Sequence, residues 1–224
     1  MKISIVGGTG GMGEGLALRW ALNHDILIGS RKEERAKEAA EEYSKIIKER
    51  YQDLRGSIEG GDNIKIARDC DVLILSIPYE YTRDTCEKIA EIINDDTIVV
   101  SPIVPMRKSK VGFEYIPMHD RSADSAAEIV ASIIKDRNRI VSTLHTISEV
   151  KLKHLDQSLD CDAYICGDDK DKVKVISDLL SEINGLKPMY VGPLSLSYQI
   201  EVLTPMLLNT AIKNKLKHPG FRIV

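Results

Sequence analysis

The sequence predicts an α/β chain: a doubly wound, mostly parallel sheet covered by helices, with a smaller C-terminal α/β part. Three observations carry this expectation. Short β-branched runs alternate with longer stretches of helical periodicity along the chain, the pattern of strands joined by crossover helices. Residues 71–77 (DVLILSI) are almost continuously apolar, as a strand buried on both faces must be. The chain also opens with strand, glycine-rich turn and helix in immediate succession.

The first strand spans 2–6 (KISIV), Gly7-Gly8-Thr9-Gly10-Gly11-Met12-Gly13 follows at once, and a helix is expected over 14–22. Gly8, Gly10 and Gly13 satisfy G-x-G-x-x-G. In this setting the glycines permit a tight turn, an approach of backbone to pyrophosphate, and close packing of helix on strand. The helix N-terminus offers free N–H groups to the phosphates. The sheet is therefore expected to be of the Rossmann type. The second strand, 25–29 (DILIG), ends at Ser30-Arg31. A site selective for NAD carries an acid here to bond both ribose hydroxyls; this tip carries none. Ser30 is suited to bond a 2′-phosphate, and Arg31 to clamp it and stack on adenine. Arg35, four residues on, adds a second cation on the same helix face. The tip reads as selective for NADP. The bland alternative, two solvated arginines, is weakened by the complete strand–glycine–helix–strand–Ser-Arg series.

A charged helix is expected over 32–51, a glycine-rich loop over 56–62, and a short helix over 63–70. The buried strand 71–77 ends at Pro78, and a helix follows over 79–94. Ile77, Pro78 and Tyr79 thus form a strand tip, where ligands bind in open α/β sheets; Tyr79 either lines the ligand or packs in the core. Strand 97–101 leads into Pro102-Ile103-Val104-Pro105, a stiff, donor-poor wall suited to a flat ring or simply a rigid loop. A long loop over 106–120 follows. Arg107, Lys108, Lys110 and Arg121 are placed to meet an anionic tail or, as charge runs usually do, to stay solvated. Then come a helix over 122–136 and a strand over 139–144. His145 stands at that strand's end, either against a ligand or as a satisfied structural histidine. The smaller part, 148–224, reads helix (148–159), strand (162–166), helix (169–183), strand (187–191) and helix (197–213). Asp168-Asp169 looks like a helix N-cap pair. The apolar face of the last helix is core or a dimer seam. The expected division lies at residue 147: 1–147 binds the dinucleotide, and 148–224 completes the second pocket.

Composition excludes several classes. The 224 residues are 29% charged and 43% hydrophobic, with a net charge of -3, which argues against a nucleic-acid binder. No apolar stretch is long enough to span a bilayer, and the chain starts directly in a strand, so no signal peptide is expected. Cys70, Cys86, Cys161 and Cys166 form no C-x-x-C pair, so reduced thiols in the cytoplasm are expected. The histidines show no metal-ligand spacing, and no metal is expected.

The chemistry follows from what the mouth lacks. A carbonyl acceptor becomes an alkoxide and needs a proton donor. No Y-x-x-x-K occurs, and the walls are apolar. That suits hydride exchange between two flat cofactors held in contact. The chain resembles the archaeal coenzyme F420-dependent NADP reductases. The matching pieces are GGTGGMGEGLALR (7–19), IGSRKEE (28–34), LSIPYE (75–80), VVSPIVP (99–105) and RSADSAAEIV (121–130). They continue with LHTI (144–147), CGDD (166–169), EINGLKP (182–188), GPLS (192–195) and LTPMLLN (203–209). The resemblance implies reversible hydride transfer between reduced deazaflavin and NADP. It places Thr9, Gly10, Gly11 and Met12 on the pyrophosphate, and Ser30, Arg31 and Arg35 on the 2′-phosphate. Ile77, Pro78 and Tyr79 then lie near the nicotinamide. Val104, His145, Thr146 and Ile147 line the deazaflavin pocket, with Pro219 reaching it from the C-terminus, within the chain or across a homodimer. Arg35 stands where the family pattern has Lys, and 45–61 and 106–120 look longer than that pattern. The resemblance implies no catalytic side chain; the ring-nitrogen proton passes to solvent or to His145. Two other readings stay open: an NADPH-dependent imine or hydroxyacid reductase, and an NADP-binding redox sensor without turnover.

Overall fold

The computed structural model describes residues 1–118 and 123–224. In chain order the elements are β1 (Lys2–Val6), α1 (Gly11–Trp20), β2 (Asp25–Ser30), α2 (Glu33–Arg50), β3 (Ile58–Asp62) and β4 (Val72–Leu75). There follow α3 (Thr82–Ala90), β5 (Ile98–Ser101), β6 (Met106–Lys108), β7 (Phe113–Tyr115), α4 (Ala126–Ile134) and β8 (Ile140–Ser142). The chain ends with α5 (Glu149–Lys153), β9 (Cys161–Gly167), α6 (Lys170–Ser181), β10 (Leu186–Gly192), α7 (Ser197–Glu201) and α8 (Leu203–Asn214).

Eight strands form one sheet in the order β10-β9-β8-β5-β4-β1-β2-β3. All neighbours are parallel except β8 and β9, which run antiparallel. The stretch from β3 to β8 has the winding of a dinucleotide-binding sheet, with its reversal of direction between β1 and β4. Alternation within β4 explains the unbroken apolar run: Val72 and Ile74 enter one core cluster with Ile3, Ile5, Leu16 and Trp20, while Leu73 and Leu75 enter the other with Val6, Ile89 and Val99. Both faces of the strand are covered, so neither set of positions tolerates polarity. The last glycine of the fingerprint serves packing. A Cβ on Gly13 would lie 2.6 Å from the Gly8 Cα, so α1 rests directly on the turn that precedes it.

Several local expectations are corrected. The expected loop at 56–62 contains β3, paired in register with β2. Gly60 is needed because α2 lies against it: a Cβ there would sit 2.2 Å from the Ala36 carbonyl oxygen. The expected helix at 63–70 is only a 3-10 turn, Lys65–Ala67. The helix expected over 79–94 begins as a 3-10 turn, Tyr79–Tyr81, and settles into α3. The expected loop at 106–120 contains the β6–β7 hairpin. The helix expected over 148–159 stops at Lys153 because Arg19 takes its carbonyls: the guanidinium donates to Lys151, Leu152, His154 and Gln157 oxygens at 2.8–3.1 Å. The last helix breaks in two at Val202, where Pro205 lacks the N–H that would reach Glu201. The start expected at 122, and Arg121, lie outside the described residues. The helix there is α4, capped by Ser125, whose Oγ accepts from the Glu128 N–H. Asp169 caps α6 as expected. Asp168 instead accepts from the Leu194 N–H and pairs with Arg137.

Candidate active site

Two cavities open at the C-terminal ends of β1, β2, β4 and β5. The first, about 570 Å³, is lined by Gly7, Thr9, Ser30, Arg31 and Arg35 among others. The second, about 690 Å³, takes in Gly11, Met12, Tyr79, Val104, His145–Ile147 and Pro219. Gly10, Ser76, Ile77 and Pro78 line both, so the two are ends of one crevice crossing the N-terminus of α1. All fifteen expected site residues border this crevice. They lie far apart in the chain and meet because strand tips converge there.

The first cavity is lined by the cations Arg31, Lys32, Arg35 and Lys88 and by the acids Asp62 and Asp84. No acid stands at the tip of β2, and Arg31, Lys32 and Arg35 all border the space. Ser30 is buried, and its Oγ accepts from the Lys32 N–H at 3.3 Å. The acid at the tip of β3, Asp62, is occupied by the Ile64 and Lys65 N–H groups. Two contributors were not visible in the sequence. Tyr81 holds the Arg31 guanidinium over its ring at 4.9 Å, a cation–π contact. Asn63 accepts from the Gly7 N–H at 3.0 Å and ties the glycine turn to the end of β3. An aromatic three residues beyond the proline of a strand tip was the available signal for Tyr81.

The second cavity is mostly apolar. Pro102, Ile103 and Pro105 are buried, with Val104 half-exposed between them. Tyr79 lines this space and also packs against the core, its hydroxyl donating to Met118 Sδ at 3.3 Å. On the facing side, Leu144 adopts φ +72°, a left-handed turn that leucine rarely takes and whose strain the surrounding packing must offset. The turn brings His145, Thr146 and Ile147 to the cavity wall. The His145 carbonyl accepts from Thr204 Oγ1 at 2.9 Å. Its Nε2 is buried without a partner among the described residues, which departs from a satisfied structural histidine. Burial pushes its pKa down to about 3, so the imidazole is neutral and able to donate or accept. An unpaired ring nitrogen so deeply buried is uncommon in a folded protein.

Pro219 reaches the cavity from within its own chain. Beyond α8 the tail folds back beside β9: the Asp162 N–H donates to the Phe221 carbonyl at 2.8 Å, and the Ile223 N–H donates to Asp162 Oδ2 at 2.6 Å. This pinning carries His218 and Pro219 to the wall. Among the described residues, the titratable side chains on the wall are Tyr79, His145, Glu149 and His218. Among the described residues, no three His, Cys, Asp or Glu side chains converge as metal ligands. No described helix is long and apolar enough to cross a membrane.

A family model described as NADP oxidoreductase, coenzyme F420-dependent, matches residues 2–105. The chain is 40% identical to the F420-dependent NADP reductase of Methanocaldococcus jannaschii, covering 100% of this chain and 98% of that protein. It is 34% identical to the F420-dependent NADP reductase of Methanothermobacter marburgensis, over 100% of this chain and 98% of that one. A crystal structure from Arthrobacter sp. FB24, provisionally assigned as an F420-dependent NADP reductase, superposes with a TM-score of 0.80 at 19% identity, covering 100% of this chain and 99% of that one. At that identity the last likeness speaks for the fold alone.

Proposed function

The chain belongs to the coenzyme F420-dependent NADP oxidoreductases, and from that premise we propose which residues hold each partner of the reaction. The enzyme carries out reversible hydride transfer between reduced coenzyme F420 and NADP+. Full-length relatives of this one activity displace the imine-reductase and redox-sensor alternatives.

NADP lies across the N-terminus of α1. Thr9, Gly10, Gly11 and Met12 meet the pyrophosphate, where backbone amides and the helix end favour anions. Ser30, Arg31 and Arg35 take the 2′-phosphate. Ile77, Pro78 and Tyr79 face the nicotinamide. Val104 between its prolines, with His145, Thr146, Ile147 and Pro219, bounds the deazaflavin. Residues 1–147 thus supply the nucleotide half, and 148–224 complete the deazaflavin pocket. The rings carry the hydride chemistry themselves when bound. The protein's task is to hold them in contact and keep water from the slot. His145, neutral and with Nε2 unpaired, offers a hydrogen bond to a ring N–H or carbonyl.

The observation that carries this reading is the continuity of a cationic cavity with an apolar one through Gly10, Ser76, Ile77 and Pro78. It fits a phosphate-bearing nucleotide at one end and two stacked rings at the other. Val104→Trp tests it by filling the apolar end. NADP affinity is expected to stay within about twofold while hydride transfer falls by about 10²-fold, the scale of a misplaced reacting pair. Unchanged turnover would refute the assignment.

We also propose that the enzyme is a cytoplasmic homodimer. Buried free thiols suit a reducing compartment. Tyr190, Met206, Ile212 and Leu216 are each at least half exposed on the C-terminal part, apolar surface that a second copy would cover. Light scattering on protein from the soluble cell fraction is expected to give twice the 25.0 kDa chain mass. A monomer mass, or recovery only with membranes, would contradict this.

A further inference from the structure

The β6–β7 hairpin forms a separate two-stranded sheet, unpaired with the main one. It directly continues the proline segment 102–105, and its Met106 and Phe113 line the apolar cavity beside Val104. An isolated hairpin of this length is marginal in water, so its position depends on what grips it. Near the end of β7, the Tyr115 hydroxyl donates to Glu201 Oε2 at 3.3 Å. At the start of β7 the grip comes from Asn209 on α8. The Phe113 N–H donates to Asn209 Oδ1 at 2.8 Å, and Asn209 Nδ2 donates to the Phe113 carbonyl at 2.7 Å. One side-chain amide thus supplies both bonds that a neighbouring strand would have made.

The adjacent residue is shaped to the same amide. Gly112 has φ +140°, and a Cβ there would lie 2.3 Å from Asn209 Oδ1. That backbone conformation strains any L side chain, and the space is already taken. Gly112 and Asn209 therefore form a notch and a peg. Neither borders the cavity.

We infer that Asn209 is a positioning residue for the deazaflavin: by clamping Phe113 it holds Phe113 and Met106 as one wall of the apolar slot, and so fixes the slot's width. The inference rests on the deazaflavin occupying that cavity. The clamp leaves the NADP end alone, since the hairpin contributes no residue to the cationic cavity. Its loss therefore weakens one substrate and spares the other, which a general loss of packing does not do.

The test is steady-state kinetics on the full-length enzyme, with reduced coenzyme F420 and NADP varied in turn. Asn209→Ala is expected to raise KM for the reduced coenzyme about tenfold, the scale of two lost hydrogen bonds, with KM for NADP within about twofold of wild type. Asn209→Asp keeps the acceptor for the Phe113 N–H but turns a second oxygen toward the Phe113 carbonyl, and is expected to show the same split. Gly112→Ala breaks the same fit from the other side. The double variant Gly112→Ala/Asn209→Ala is expected to fall short of the sum of the two single ones, because without the amide the added methyl loses its clash and only the backbone strain at Gly112 remains. Equal increases in both KM values, additive effects, or an unchanged KM for the reduced coenzyme would overturn the inference. Val104→Trp separates the two levels. If it blocks turnover while Asn209→Ala leaves KM unchanged, only the positioning role fails. If Val104→Trp is silent as well, the cavity assignment fails and takes the positioning role with it.

Discussion

Arg19→Met is expected to destabilise the fold by about 3–5 kcal/mol. Arg19 stands on α1, is 8% exposed, and donates to the carbonyls of Lys151, Leu152, His154 and Gln157. Burial lowers its pKa, yet a guanidinium stays charged at any working pH. The four bonds are charge-assisted, and they satisfy oxygens that a continued helix would have satisfied internally. Methionine fills part of the volume and returns none of the donors. The carbonyls are then left to water or to nothing, and an orphaned buried acceptor costs more than the bond contributed. Arg19→Lys should recover little, because one ammonium cannot reproduce the planar fork. Urea unfolding measures the loss; a change below about 1 kcal/mol would mean that water replaces the guanidinium at these carbonyls. The segment it anchors follows directly on His145–Ile147, so a weakened anchor also loosens that wall of the apolar cavity.

Arg19 also marks where sequence reading stops. β1, α1 and β2 were legible because their signals are local: a β-branched run, glycines at fixed offsets, and a charged or uncharged strand tip. β3 was not. Glu59-Gly60-Gly61 has the composition of a loop and becomes a strand only because β2 offers it a partner and α2 lies close enough to exclude side chains. The shortness of α5 was invisible for the same reason, since an arginine more than a hundred residues away decides it. Strand tips, by contrast, announce themselves as the residues after an apolar run. Expected positions such as Ser30, Ile77 and Val104 therefore border one crevice. Residues that act by reaching across the fold left little trace: Tyr81 under Arg31 had only the aromatic spacing after Pro78, and Asn63 on the glycine turn and Asn209 on the hairpin had none. Pro219 was visible as a position but not as a route, because its placement depends on Asp162 pinning the tail.

Arg31→Ala is expected to weaken NADP by about 1–3 kcal/mol while leaving NAD nearly unchanged. The size follows from the state of the guanidinium before anything binds. Arg31 is exposed, and among the described residues no carboxylate pairs with it; its neighbour is the face of Tyr81. A phosphate arriving there breaks no salt bridge, so the new bonds are not offset by lost ones. The ring also limits the rotamers of a long side chain, which lowers the entropy lost on binding. Arg31→Lys should fall between, keeping charge but losing the fork and part of the stack. Because the mouth is open to solvent, the gap between wild type and Arg31→Ala should narrow as salt rises. Fluorescence titration of NADPH and NADH against each variant supplies the measurement. Equal losses for both nucleotides would mean that Arg31 serves the adenine or the fold instead of the phosphate. No loss for either would shift the 2′-phosphate toward Arg35, Lys32 and Lys88, the other cations on the same wall.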